Sequence, residues 1–312
     1  MRLFRSYLHL PDQVRGGVAV LGNFDGLHRG HQAVIGRGAE IARGLGVPLL
    51  VLTFEPHPRS VFRPQDPPFR LTPLRIKERQ LEALGIDALV VCHFDEPFVR
   101  RSAENFVTEV LAGGLAPRHV VAGSDFRFGH RRTGDMALLA RLGAGHGIAV
   151  TGVDLACDED GLPLSSTRVR DALLGGRPHE AARVLGRAWE IEGRVEVGER
   201  VGRTLGFPTA NLLVGEYLRP ALGVYAVRAG VDAGLTTVWH GGVANLGHRP
   251  TVEGVGERLE VHLFDVDEDL YGKHLRVQLI EFLRPERRFA GLDALKVQIA
   301  LDAAAARTIL TK

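Results

Sequence analysis

The sequence predicts two domains of different class: an α/β domain built on a parallel sheet, then an antiparallel β-barrel followed by one helix. Three observations carry this. Up to about residue 153, apolar runs of strand length alternate with stretches whose apolar residues recur at helical spacing. After Leu185, short alternating or β-branched runs follow one another, separated by glycines, with no helix between them. A single amphipathic segment, 292–310, closes the chain. At 312 residues there is enough chain for two cores, and the expected boundary divides 1–185 from 186–312.

Strands are predicted at 18–22, 47–54, 88–94, 119–123 and 148–153, and helices at 32–45, 73–85, 103–112 and 135–143. Val18-Ala-Val-Leu-Gly22 is an unbroken apolar run, as a strand buried on both faces requires. In the first helix Val34, Ile35, Ala39, Ile41, Ala42 and Leu45 fall at helical spacing. Thr72-Pro73 reads as a cap followed by proline at the first helical position. Strands separated by helices imply right-handed βαβ crossovers and a parallel sheet. The proline-rich stretch 55–70 is predicted as a loop without secondary structure, a length that often marks function. Ser166 is expected to cap a helix over 167–174 that ends at Gly175-Gly176, and 178–185 reads as another short helix. Barrel strands are expected at 189–197, 223–229, 237–244, 259–266 and 275–282.

Composition narrows the function. The chain is 45% apolar and 24% charged, as ordinary globular proteins are. It holds no run of 18 apolar residues, and its N-terminus lacks the apolar core of a signal peptide. Cys92 and Cys157 lie far apart and read as small buried hydrophobes rather than a disulfide. A cytoplasmic protein without a membrane partner is expected. Residues 1–185 carry 23 basic against 20 acidic residues, and 186–312 carry 16 against 17. No basic block exists, so nucleic acid is not an expected partner.

Residues 22–31 read Gly-Asn-Phe-Asp-Gly-Leu-His-Arg-Gly-His. The segment joins the first predicted strand to the first helix, where unpaired N–H groups and the positive end of the helix dipole suit phosphate. His28 and His31, spaced i, i+3, fall on one face. Two imidazoles beside such a nest can hold a triphosphate and stabilise charge on leaving pyrophosphate. With its G-x-F-D-G prefix the segment resembles the cytidylyltransferase-like nucleotidyltransferases, which implies a Rossmann-like nucleotidyltransferase domain.

Further motifs follow other strand ends. In Thr53-Phe-Glu-Pro-His-Pro58 two prolines stiffen His57, either for substrate contact or as a plain surface turn. In Gly123-Ser-Asp-Phe-Arg-Phe-Gly129, Phe126 and Phe128 flank a slot for a flat heterocycle or plug the core under a loop. Ser165-Ser-Thr-Arg-Val-Arg170 forms a second N-terminal anion nest or an ordinary cap. In Gly206-Phe-Pro-Thr-Ala-Asn211, Thr209 and Asn211 offer two neutral oxygen ligands on one face if extended. That suits Mg²⁺ carried by ATP, although the segment also reads as a turn with a satisfied Asn. No Walker A loop is present. Glu260 alternates with Leu259 and Val261 in a barrel strand, as a base or as a solvated strand residue.

Taken in this order, the motifs resemble the bacterial bifunctional riboflavin kinase/FAD synthetase family over essentially the whole chain. The resemblance implies phosphorylation of riboflavin to FMN by ATP, then adenylylation of FMN to FAD with release of pyrophosphate. It assigns the adenylyltransferase ATP site to Gly22, Phe24, Asp25, Gly26, His28, Gly30 and His31 with Ser166, Thr167 and Arg168. It assigns His28 and His31 to transition-state stabilisation, and His57, Pro58, Asp125 and Phe128 to FMN. In the kinase half it implies Gly202, Gly206, Pro208, Thr209 and Asn211 around ATP, Mg²⁺ on Thr209 and Asn211, and Glu260 as base before Asp267-Glu-Asp-Leu-Tyr-Gly272. Arg100, Arg101, Ala188-Trp189 and Val252 depart from the family's usual residues. Two other readings stand beside it: a nucleotidyltransferase for another phosphorylated vitamin, and a non-catalytic flavin or nucleotide sensor.

Overall fold

A computed structural model describes residues 1–196, 206–251 and 254–311. Gly202, the rest of its glycine-rich approach and Val252 lie outside the described residues. The chain divides into two compact units, one of 1–67 with 72–165, the other of 68–71 with 166–312.

The first unit holds strands β1 (Arg2–Phe4), β2 (Val18–Leu21), β3 (Leu49–Glu55), β4 (Ala88–His93), β5 (His119–Gly123) and β6 (Ala149–Val153). They form one sheet in the order β1-β4-β3-β2-β5-β6, with every pairing parallel. Helices α1 (Arg29–Leu45), α2 (Pro58–Phe62), α3 (Leu74–Ala83), α4 (Glu96–Val99), α5 (Ala103–Asn105) and α6 (Met136–Ala144) belong to it. The predicted strands and main helices are present, with ends shifted by up to three residues. β1, only three residues long, carries too little pattern to be read from sequence. The 55–70 segment is not structureless, because α2 interrupts it. Beyond α5 the expected α-helix winds as a π-helix, Phe106–Leu115.

The apolar strand runs are explained by coverage on both faces. All four residues of β2 are buried. Val18 and Val20 pack with Val34, Ile35 and Ala42 of α1, whereas Ala19 and Leu21 pack with Phe106, Val107 and Val110. Burying each such aliphatic contributes about 1.5–3 kcal/mol. Strand order reverses between β2 and β5, the place where open α/β sheets bind ligands at their carboxyl ends.

The second unit opens with α7 (Ser166–Leu174) and α8 (Pro178–Leu185). Ser166 is the first helical residue rather than the cap. Strands β7 (Trp189–Arg194), β8 (Ala210–Leu213), β9 (Gly223–Val231), β10 (His240–Thr251), β11 (Gly254–Leu263) and β12 (His274–Pro285) follow, then α9 (Leu292–Leu310). The sheet order is β7-β12-β9-β10-β11-β8, all antiparallel. Its two edges meet where Glu196 N donates to Asn211 O at 2.9 Å, which closes the barrel. Among the described residues a 3₁₀ turn, Gly234–Thr236, lies between β9 and β10. Residues 68–71 belong here because the Trp189 indole N–H donates to Leu71 O at 2.9 Å and Arg170 Nε donates to Phe69 O at 3.0 Å.

Candidate active sites

In the first unit three motifs leave neighbouring parallel strands at the same end. β2 runs into Gly22–His31, β3 into His57 and β5 into Ser124–Gly129. His28 is the N-cap of α1, and its Nδ1 accepts from His31 N at 3.3 Å. The two imidazoles stack with ring centroids 3.6 Å apart and planes 22° apart. Phe24, only 1% exposed, sets its ring edge against His31 at 5.3 Å. The intervening backbone is left-handed at Phe24 (φ 51), Gly26 (φ 87) and Leu27 (φ 42). Gly30 is required by close approach: a Cβ there would stand 2.8 Å from Leu164 O and 3.0 Å from His28 Nδ1.

Asp25 is buried, and its Oδ1 accepts from Thr72 N at 3.0 Å. Gly26 N donates to the Thr72 hydroxyl at 2.7 Å. Thr72 thus serves this loop and not the helix after it, since Pro73 holds the N-cap position of α3 without a side-chain cap. A second tie runs through α3. Lys77, fully buried, reaches Glu55 Oε1 at 3.2 Å and Thr53 Oγ1 at 3.5 Å, and the Thr53 hydroxyl donates to Asn23 O at 3.2 Å. Sequence reading missed both ties, because nothing in local spacing connects Asp25 to Thr72 or Thr53 to Lys77.

His57 is buried and caps α2, its Nδ1 accepting from Arg59 N at 3.1 Å; Pro58 is the first residue of that helix. Asp125 is exposed. Phe128 is buried against Phe106 at 5.3 Å and stacks on Phe126 at 5.8 Å. Ser166 and Arg168 are half-buried and Thr167 exposed on the first turn of α7, in the second unit.

In the barrel, register supplies what spacing does not. Asn211 of β8 pairs with Glu260 of β11, and Glu260 pairs with Asn245 of β10. Their neighbours Ala210, Leu212, Leu259, Val261, Ala244 and Leu246 are buried in the barrel, so this polar row faces outward. Thr209 and Asn211 line a cleft of 310 Å³ together with Pro208, Leu263 and the 266–271 turn. The amide nitrogen of Asn211 points to Thr209 O at 3.5 Å, which leaves Oδ1 as the ligand it offers. His262 Nδ1 lies 2.9 Å from Pro208 O and fixes the start of β8 from the neighbouring strand. Gly206, at φ 85, and Pro208 are exposed at the approach. Asp267, Glu268 and Asp269 form the exposed acidic wall of the cleft. No local signal predicted that this turn faces Thr209.

The family model described as FAD synthetase matches residues 10–168, and the one described as riboflavin kinase matches 185–310. The bifunctional riboflavin kinase/FMN adenylyltransferase of Escherichia coli (strain K12) is 43% identical over 308 residues, spanning 98% of this chain and 97% of that protein. The protein of the same name from Bacillus subtilis (strain 168) is 38% identical over 298 residues, 94% and 92% of the two chains. A crystal structure described as a macrolide-efflux protein from Streptococcus pneumoniae matches with TM-score 0.85 at 30% identity, covering 98% of each chain. Among the described residues no helix is long and apolar enough to cross a membrane.

Proposed function

The chain belongs to the bifunctional riboflavin kinase/FMN adenylyltransferase family, and from that premise we propose how its residues divide the two reactions. It makes FMN and FAD from riboflavin with ATP. Adenylyl transfer is assigned to 1–185 and phosphoryl transfer to 186–312.

In adenylyl transfer a phosphate oxygen of FMN attacks the α-phosphorus of ATP, and pyrophosphate leaves. The observation that supports the assignment is the stacked pair His28–His31 at the start of α1, where the sheet reverses its strand order. Helix N–H groups and two imidazoles there meet a polyphosphate and stabilise charge on the departing pyrophosphate. Gly22, Phe24, Asp25, Gly26 and Gly30 shape that loop. Ser166, Thr167 and Arg168 are proposed to bind ATP, and His57, Pro58, Asp125 and Phe128 the flavin. Asp25 acts through its hydrogen bonds to Thr72 rather than by touching phosphate, since its buried carboxylate would repel the anion.

In phosphoryl transfer the 5′-hydroxyl of riboflavin attacks the γ-phosphorus, ADP leaves, and Glu260 takes the hydroxyl proton. What supports this reading is the pairing of Glu260 with Asn211, which itself lines the Thr209 cleft. Thr209 Oγ1 and Asn211 Oδ1 are neutral oxygen donors, a set that fits Mg²⁺, which keeps its waters and needs few protein ligands. Held there with ATP, Mg²⁺ would neutralise phosphate charge. Gly202, Gly206 and Pro208 are proposed to border the nucleotide. A cytoplasmic location belongs to the same proposal.

Incubation with riboflavin and Mg-ATP, followed by chromatography, tests the assignment. FMN followed by FAD is expected. FMN without FAD would remove the first assignment, and FAD from supplied FMN without riboflavin phosphorylation would remove the second.

A further inference from the structure

On the outer face of the barrel, at the end of β7, β9 and β12, a polar cluster lies apart from the residues assigned to either reaction. His274 opens β12, and Leu275, Val277 and Leu279 beyond it alternate inward. His274 and Arg276 therefore face outward, where Arg276 pairs in register with Glu192 of β7. Asp232 directly follows β9, and its backbone N donates to His274 O at 2.8 Å. The three side chains come from three neighbouring strands.

We propose that Glu192, Asp232 and His274 form a binding site for a divalent first-row transition ion such as Zn²⁺, separate from the kinase cleft. One ligand atom from each lies within 4.8 Å of the others, the one such group of His, Cys, Asp and Glu among the described residues. His274 Nε2 stands 3.5 Å from Glu192 Oε1. That is the ligand-to-ligand distance expected around an ion held at about 2.1 Å by nitrogen and oxygen. The same Nε2 is shielded from solvent and makes no hydrogen bond, an arrangement that protein interiors avoid unless something meets the atom. Glu192 and Asp232 side chains are only 4% and 10% exposed. Closing the remaining distances takes about 1 Å of side-chain movement.

The surroundings are built to hold these ligands. Asp232 Oδ1 accepts from Gly234 N at 3.1 Å, which orients the carboxylate. Arg276 approaches Asp232 Oδ1 only at 3.9 Å. Its guanidinium is engaged by both oxygens of Glu190 at 3.1 and 3.0 Å, by Gly234 O at 2.8 Å and by Thr237 Oγ1 at 3.0 Å, and it stacks on Trp239 at 4.8 Å. One imidazole with two carboxylates suits borderline ions such as Zn²⁺ better than Mg²⁺, which prefers oxygen alone. Bound there, the ion would pin the 232–239 connection to β7 and β12.

The test uses the full chain stripped of metal by chelation. Crystals grown with Zn²⁺ are expected to show an anomalous-scattering peak at His274 Nε2 between the two carboxylates. Calorimetric titration is expected to give one Zn²⁺ per chain at this site. His274→Gln and Asp232→Asn should each weaken that binding at least about tenfold and abolish the Zn²⁺-dependent rise in Tm. The His28→Ala/His31→Ala double variant should retain both. Absence of anomalous density among the three side chains overturns the proposal, and so does unchanged Zn²⁺ affinity in both folded variants. Should either variant fail to fold, the map from the parent chain decides.

Discussion

Asn211 and Glu260 stand directly opposite each other in the ladder between β8 and β11, on the outward face of the barrel. Cross-strand neighbours of this kind place their Cβ atoms about 4.5–5.5 Å apart. On this pairing rests the proposal that the carboxylate accepts a proton and the amide oxygen holds a cation.

Replacing Glu260 by Gln keeps shape and hydrogen bonding but removes basicity. FMN formation is expected to fall roughly a hundredfold to ten-thousandfold, the usual scale for a general base. FAD formation from supplied FMN should continue. Steady-state assays of the two half-reactions check this, and a kinase rate near that of the parent would exclude Glu260 as base.

Alanine at both His28 and His31 is expected to abolish FAD formation while FMN formation persists. Loss of one charge-stabilising donor costs on the order of a hundredfold, and here both stacked rings are removed. Chromatography of products from riboflavin and Mg-ATP reads the outcome directly. Continued FAD synthesis by the folded variant would contradict the assignment.

Gly30→Ala inserts a methyl 2.8 Å from Leu164 O and 3.0 Å from His28 Nδ1. The contact with His28 must give, so the imidazole stack shifts. A fall in the kcat of adenylyl transfer of at least about tenfold is expected, since misplacement by an ångström can cost far more. Kinase turnover should be unaffected. Equal loss of both activities would point to general unfolding, which a thermal melt would reveal.

A fragment of residues 166–312 is expected to fold and phosphorylate riboflavin. One beginning at 186 loses α8, whose Ala181, Val184 and Leu185 are buried. Val184 and Leu185 each contribute about 1.5–3 kcal/mol by burial, so the shorter fragment should melt at lower temperature and bind more hydrophobic dye. Equal Tm values would show that α7 and α8 do not support the barrel.

Burial pushes the Cys92 thiol up to about 12, whereas Cys157, expected from the sequence to be buried as well, is exposed. Only thiolate is nucleophilic, so a thiol reagent at pH 8 should modify one cysteine per folded chain and two after denaturation. The sign for stability follows. Cys92 favours the fold fully below the pKa of an unfolded thiol, about 8.5, and that contribution is lost as pH rises toward about 12. Denaturant midpoints compared at pH 8 and pH 10, for the parent and Cys92→Ala, measure the difference.

The parallel sheet was legible because strands buried on both faces, such as Val18–Leu21, write themselves as unbroken apolar runs. The His28–His31 stack was legible because i, i+3 spacing alone brings two side chains together on a helix. β8 was not. Four residues entered through Pro208-Thr209 look like a turn, and only pairing with β11 makes them a strand. The same holds for the role of Thr72. Its position before Pro73 reads as a cap, whereas a partner distant in sequence, Asp25, decides what its hydroxyl does. The π-winding of Phe106–Leu115 escapes for another reason. The buried residues Phe106, Val107, Val110, Leu111, Gly114 and Leu115 recur every four positions, a spacing between the α- and π-helical periods, so the apolar pattern does not separate the two.

Phe24 and Leu27, both side-chain-bearing residues, keep a left-handed backbone in the loop that carries the two histidines. Each such residue costs about 1–2 kcal/mol relative to a right-handed one. The loop is thus a store of conformational energy maintained by Thr72 and by the buried rings around it. Selection for heat resistance would relax this segment, and selection for turnover would hold it tense. With His28 and His31 in their proposed roles, the opening of α1 is where thermal adaptation and catalytic rate would compete within this chain.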